Sequence, residues 1–398
     1  MTLATVLTDQ TTSKQDSKDH RRVKRSESEF WTARQRQASS LHEISYRACF
    51  KPQLPHYFIE RSTRVGDTVY DPFMGRGTTV IESALLGRQT VGNDVNPLCR
   101  ILTVPRLNIP SFEEVNQRIG RLRFSERNSP EIDLSMFYHS KTFAEIVSIQ
   151  RYLAERRATG REDRVDKWIR MVATNRLTGH SRGFFSVYTL PPNQATSQER
   201  QKKINRTRRQ KPEYRDVKAL ILRKTRSLLR NVTDEQRATV NKIGGKAVLL
   251  SQSAHHTTKI GSESIQLTVT SPPFLDVVQY SKDNWLRCWF NGIDDGEIGK
   301  AMMMARTVEE WTDEMARVFL ELFRVTKPGG HVAFEVGEVR KGSVKLEEHV
   351  VPVGLQAGFT CEEILINKQA FTKTANIWGI NNNKAGTNTN RIVLFRKP

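Results

Sequence analysis

Two consecutive prolines, Pro272 and Pro273, follow directly on an apolar run at residues 265–269. Each proline fixes φ and removes a backbone donor, so the pair cannot continue a helix and fits badly inside a paired strand. Residues 266–270 therefore read as a strand, and Ser271, Pro272, Pro273 and Phe274 as a rigid corner at its carboxyl end. In open α/β sheets that end is where ligands bind. The corner presents one hydroxyl, a proline carbonyl and one aromatic face in a fixed arrangement. Such a set can hold a flat ring and accept hydrogen bonds from an amino group on its edge. Pro-Pro alone favours a plain surface turn, so the rest of the chain has to decide.

A second strand-end loop lies upstream. Thr68, Val69 and Tyr70 read as a strand, followed by Asp71-Pro72-Phe73-Met74-Gly75-Arg76-Gly77-Thr78-Thr79. Val80, Ile81, Ala84 and Leu85 then fall at helical spacing, Gly87 supplies a stop, and residues 89–92 form the next strand, ending at Asn93-Asp94. This is a strand, glycine loop, helix, strand unit of nucleotide-binding type. It falls short of the dinucleotide fingerprint because position 80 is Val, and it lacks the Gly-Lys-Ser/Thr of a phosphate loop. An acid at the strand end before the glycines would repel a pyrophosphate and suits a cationic ligand. Asp94 occupies the place of a ribose-binding acid. Two acids around a glycine loop fit S-adenosylmethionine better than a dinucleotide or ATP.

Charge points to the partner. The 398-residue chain has a formal net charge of +20 and a pI near 10.0. A field of that sign favours a polyanion, nucleic acid first and an anionic membrane surface second. The surplus is uneven. Residues 199–230 hold thirteen Lys or Arg against three acids, inside an arginine-rich helical stretch that interrupts the sheet pattern. Phe184, Phe185 and Tyr188 lie just ahead of it. Aromatics beside a basic helix suit a base-reading surface, although Phe184 and Phe185 serve equally well as local core. No apolar run approaches the ~20 residues of a membrane span, and the N-terminus lacks the apolar region of a signal peptide. The four cysteines are widely spaced with no Cys-x-x-Cys, which suggests a reducing compartment and no structural zinc. The expected place of action is the cytoplasm, on the nucleoid.

Together the two loops form a recognisable pattern. The chain resembles the amino-group DNA methyltransferases of restriction–modification systems, which methylate N4 of cytosine or N6 of adenine. The family's cofactor motif resembles Asp71-Pro72-Phe73-x-Gly75-x-Gly77, and its catalytic motif resembles Ser271-Pro272-Pro273-Phe274. Phe50 to Leu54 is similar to the segment that packs over the methionine end of the cofactor, and Lys327-Pro328-Gly329-Gly330 to a turn before the family's fifth strand. The resemblance covers roughly residues 45–110 and 246–398. In one departure, the family's third acid, near the adenine, is replaced here by Ser251-Gln252-Ser253, so that contact is either supplied by these polar groups or absent.

The resemblance implies an α/β fold of the Rossmann-like methyltransferase kind. Its sheet is mostly parallel, with helices on both faces. It would be divided into a disordered basic arm over 1–29, a catalytic domain over 30–110 and 246–398, and a basic helical insertion over 111–245 that charge and position assign to target recognition. Asp71, Phe73, Gly75, Gly77, Thr78 and Asp94 are expected to hold S-adenosylmethionine. Ser271 and the Pro272 carbonyl are expected to accept the amine's hydrogen bonds while Pro273 stiffens the corner and Phe274 stacks on a flipped base. Tyr280 and Asp283-Asn284-Trp285 are candidates for lining the base pocket, with core packing an equal alternative for Trp285. A Ser-Pro-Pro corner goes mostly with cytosine N4 in this family, and an acidic one with adenine N6. None of the four cysteines follows a proline, which argues against cytosine C5 chemistry. The expected partner is double-stranded DNA, with a cognate restriction endonuclease as a functional companion. Alternatives are an adenine-N6 enzyme on the same fold, an RNA or protein-amide methyltransferase, and an inactive DNA-binding protein.

Overall fold

A computed structural model describes residues 23–31, 38–46, 49–125, 132–190, 195–273, 280–301, 305–339, 344–368 and 389–398. The first part of the chain contains β1 (Lys24–Ser28), α1 (Gln53–Ser62), β2 (Thr68–Asp71), α2 (Thr78–Leu85), β3 (Gln89–Asn93) and α3 (Pro97–Thr103). A helical stretch follows: α4 (Phe112–Arg121), α5 (Ser140–Ala158), α6 (Arg164–Arg176), α7 (Gln198–Arg208), α8 (Val217–Leu229) and α9 (Asp234–Gly244). The sheet resumes with β4 (Val248–Leu250), β5 (Ile265–Thr270), α10 (Tyr280–Asn291), α11 (Asp295–Ala301), α12 (Val308–Val325) and β6 (Thr326–Val336). The chain closes with the short pair β7 (Glu338–Val339) and β8 (Val344–Lys345), then α13 (Leu346–Gln356), β9 (Thr360–Lys368) and β10 (Thr389–Arg396).

Eight strands form one sheet in the order β1-β9-β10-β6-β5-β2-β3-β4. β2 pairs in parallel with β3 and β5, β3 with β4, and β5 with β6, whereas β10 runs antiparallel to β6 and β9. From β2 the chain steps outward to β3 and β4, then returns to place β5 on the other side of β2. That reversal makes the carboxyl ends of β2 and β5 the topological switch point, where open α/β sheets bind ligands. A mostly parallel sheet with helices on both faces and a reversed strand near one edge is the Rossmann-like α/β form expected from the sequence.

The strands alternate between two cores, as the two-residue pleat requires. Val69, Leu267, Val269 and Ala333 pack with Leu54, Phe58 and Ile59 of α1 on one face. Tyr70, Val332 and Phe334 pack with Trp311, Met315, Phe319 and Leu322 of α12 on the other. Each fully buried apolar side chain contributes roughly 1.5–3 kcal/mol. The helical stretch does not stand apart from this body. Trp168, Ile169, Val172, Phe185, Leu286 and Phe290 share one cluster with Met74, Val80, Ile81 and Leu98, which flank the glycine loop. Capping boxes start α4 (Ser111 with Glu114), α6 (Asp163 with Asp166) and α9 (Thr233 with Gln236). α9 packs on α2 and serves as the crossover helix into β4.

Three expectations need correction. The disordered arm does not extend to residue 29, because Lys24–Ser28 pairs in parallel with β9, register Lys24 to Glu363 through Ser28 to Asn367. Lys24 and Ser26 both meet the Glu363 carboxylate, so polar cross-strand pairs stand in for an apolar face; residues 1–22 lie outside the described chain. The stretch 50–55, with prolines at 52 and 55, reads in sequence as extended; in the structure it is helical from Gln53. Pro55 sits in the first turn, where its missing N–H costs nothing. Lys327 to Gly330 lies within β6 as a bulge. Ile265 pairs with Thr326 and Leu267 with His331, and Gly329 takes φ +74° to allow it.

Candidate active site

The glycine loop is held from both ends. Asp71 closes β2 with 1% exposure, and its Oδ1 accepts from Thr270 Oγ1 at 2.7 Å and from the Phe73 amide at 3.1 Å. Gly75 and Gly77 take φ of +49° and +75°. Gly77 is the N-cap of α2, and a Cβ built there would lie 2.5 Å from Thr103 Oγ1. Thr78 is buried at the helix start, and its Oγ1 accepts from Arg76 Nε at 3.3 Å. The helix N-terminus behind the loop is a further positive field. Phe73 is partly buried against the α12 core.

Asp94 lies one residue beyond β3 and braces the same loop. Its Oδ2 accepts from the Gly75 amide at 2.9 Å and its Oδ1 from the Asn96 amide at 2.9 Å. The Cys99 thiol also bonds this carboxylate; with about four lone-pair sites on its two oxygens, the acid can shape the loop and still receive a sugar hydroxyl. Gln252, which follows β4, exchanges backbone contacts with the Asn93 side chain at 3.0 and 2.9 Å. Its Oε1 is buried without a partner. An orphaned acceptor at the position where the related family places an acid near the adenine suits a donor amine. Asp71, the positive-φ glycines, Asp94 and Gln252 thus fit a cationic adenosyl cofactor. They would meet its charged end, its backbone, its ribose and its adenine respectively.

The proline corner lies beside this loop. Thr270, the donor to Asp71, directly precedes Ser271. Pro272 is buried, and the Pro273 carbonyl accepts from Trp311 Nε1 at 2.9 Å. That bond ties the Pro273 carbonyl to α12. Phe274 lies outside the described residues. The sequence reading missed Glu335. It stands near the end of β6, next to Phe334, whose partner is Thr270. Glu335 is 7% exposed, and its carboxylate accepts from Ser271 and from Asn390 Nδ2. Only its strand-end position could have flagged it, since it interrupts the apolar run at 332–336.

Burial sets the ionisation of the site. It raises Asp71 to about 7, against the opposing effect of its hydrogen bonds from Thr270 and Phe73. Burial likewise raises Asp94. Glu335 is pushed up to about 6 by burial, with Asn390 and Ser271 holding it back. The Cys49 thiol, whose Sγ would lie 3.2 Å from a Cβ on Gly75, is also raised by burial.

Of the pocket candidates, Asp283 and Asn284 are buried in the first turn of α10. The Asp283 carbonyl accepts from the Ala195 amide at 2.8 Å, and Trp285 Nε1 donates to the Thr196 carbonyl at 3.2 Å. These residues join α10 to the helical insertion. Nothing is described of the Tyr280 side chain. Phe184 and Phe185 are core, 8% and 1% exposed.

Residues 4–102 match the family model described as DNA methylase, of the N6/N4 type. That match takes in the glycine loop and Asp94, and about a quarter of the chain. The chain is 43% identical over 60 residues to the type II methyltransferase M.MjaII of Methanocaldococcus jannaschii, covering 15% of this chain and 11% of that one. It is 21% identical over 291 residues to M.BsoBI of Geobacillus stearothermophilus, covering 65% and 54%. The chain thus spans about half or less of the length of these relatives. A solved S-adenosylmethionine-dependent methyltransferase of Methanosarcina mazei aligns over 85% of this chain and 96% of its own, at 10% identity and a TM-score of 0.33.

Proposed function

We propose that this protein is a DNA methyltransferase that transfers a methyl group from S-adenosylmethionine to the exocyclic N4 amine of cytosine in duplex DNA. The observation that carries the reading is the junction of the two halves: Thr270, one residue before the Ser271 corner, bonds the Asp71 carboxylate of the glycine loop. A methyl donor held by that loop and an amine held by that corner would be neighbours.

The chemical problem is a poor nucleophile, because the amine lone pair is delocalised into the ring. Accepting its N–H bonds draws the nitrogen toward a tetrahedral, more nucleophilic form. Ser271 donates its hydroxyl proton to Glu335, which turns the Oγ lone pairs outward, toward an incoming amine. As the methyl arrives, the nitrogen becomes acidic. Its proton passes to Ser271 Oγ while the serine proton passes to Glu335, whose raised pKa suits it to receive one near neutral pH. The Pro272 carbonyl is the second acceptor. The target nitrogen is out of reach in a stacked duplex, so base flipping belongs to the mechanism.

The test is a labelled-methyl assay with duplex DNA, RNA and protein as acceptors. Label in DNA, recovered as N4-methylcytosine, supports the reading. Label recovered in RNA or protein alone removes it.

A further inference from the structure

A group of arginines at the carboxyl end of α6 has no part in the site above. The chain after α6 folds back on it, with the Phe185 amide bonded to the Arg176 carbonyl at 2.8 Å. The returning loop presents its carbonyls to cations. Arg215 Nη1 donates to those of Ser181 and Phe184 at 3.1 and 2.8 Å, and Arg223 Nη2 to that of Arg182 at 2.9 Å. Arg176 is 9% exposed and stacks on the Phe184 ring at 4.0 Å. Its Nε and Nη2 bond only the backbone carbonyl and side-chain oxygen of Asn175. Its Nη1 has no hydrogen-bond partner among the described residues.

Two of these guanidinium groups converge on one glycine. A Cβ built on Gly183 would lie 3.5 Å from Arg223 Nη2 and 4.0 Å from Arg176 Nη1. Arg287, 5% exposed on α10, adds a third like charge against Arg176. No carboxylate is among the hydrogen-bond partners of Arg176 or Arg223. Burial, with Arg287 and Arg223 close by, pushes Arg176 down to about 10. Arg287 has Asp283 close by, whereas only like charges stand near the buried Arg176; such a buried cation is costly, and a bound anion would remove that cost.

We infer that this notch takes a phosphodiester of the nucleic acid strand, held between Arg176 and Arg223 over the bare backbone of Gly183. This rests on the DNA reading proposed above. Ser181 and Arg182 are exposed, so the notch is open to solvent. Its position also suits that ligand. Asn291 of α10, the helix that follows the proline corner, bonds Thr174 of α6 at 2.9 Å, and the Asn175 side chain bonds the Ser45 carbonyl at 2.9 Å. The adjacent Tyr46 packs beside Gly75 and accepts from Asn96. A strand whose base enters the corner would pass its backbone by this notch.

Gly183 allows a direct test. Its φ is not in the left-handed region, and the space beside it is ordinary contact distance. Gly183→Asp would place a carboxylate between the two guanidinium groups, in the phosphate's position. Arg223→Gln, at an exposed residue, removes one donor without disturbing the core. Binding of a labelled duplex is measured by fluorescence anisotropy over a salt series, alongside thermal unfolding. The proposal predicts a loss of affinity of about tenfold in each variant and a salt slope smaller by about one for Arg223→Gln. Gly183→Asp should unfold at or above the wild-type midpoint. Folded variants that keep wild-type affinity and slope overturn the notch and leave the methylase reading standing. A wild-type protein that binds no duplex overturns both.

Discussion

Thr270 Oγ1 lies 2.7 Å from Asp71 Oδ1, in the buried space between the parallel strands β5 and β2. The bond joins the strand that ends in the proline corner to the strand that ends in the cofactor loop. A hydrogen bond to a charged group of this kind is worth about 1.5–3 kcal/mol. Its larger effect is to hold two half-sites from residues 199 positions apart in one register.

In the proposed site, Asp71 would tie cofactor binding to pH. Its carboxyl is raised from the ordinary 3.8 to about 7, so the folded protein holds this proton more tightly than the unfolded chain. The Asp71 contribution to stability is therefore full below the unfolded value and is lost as pH rises through about 7. A sulfonium ligand favours the ionised form and displaces the proton. S-adenosylmethionine should bind more tightly as pH rises, by about tenfold per pH unit below 7, with a plateau above it. Asp71→Asn should weaken binding and flatten that profile; calorimetric titration at several pH values checks both.

Glu335 should act on the chemical step alone. Glu335→Gln keeps the shape and loses the proton acceptor for Ser271. The expected result is a fall in kcat of about 10²–10⁴ with cofactor affinity within about twofold of wild type. In the wild-type enzyme, kcat should fall as pH drops through about 6, where Glu335 takes up its proton. Single-turnover assays across pH, with cofactor binding measured separately, provide the check.

The Gly77 turn tolerates no side chain. Gly77→Ala forces alanine into φ +75° and drives its Cβ toward Thr103 Oγ1. The left-handed backbone alone costs about 1–3 kcal/mol. Unfolding should come at lower denaturant, with cofactor affinity reduced. Adding Thr103→Ala should recover the steric part and leave the backbone part, which a double-mutant cycle separates.

Much of the site was legible because its signals are local. Asp71, Gly75, Gly77 and Thr78 form a continuous loop between a strand and a helix, and Ser271 to Pro273 end a strand by their own backbone chemistry. The rest depends on pairing between distant segments. Glu335 looks like a charge stranded in an apolar strand until β6 is set beside β5. Gln252 stood out only as a missing acid; the fold shows its unpaired buried oxygen. The pairing of Lys24–Ser28 with β9 joins segments more than 330 residues apart, which no local pattern announces. Arg223 lies in the basic run at 199–230 and Arg176 lies outside it; only the loop at Gly183 brings them together.

A base-resolved methylation map of DNA from cells expressing the chain tests the central claim most directly, because it reports atom, base and surrounding word together. The prediction is N4-methylcytosine at one recurring word in cells expressing the wild-type chain, and its absence in cells expressing Ser271→Ala. Methylation at adenine N6, or N4-methylcytosine that persists in Ser271→Ala, would contradict it.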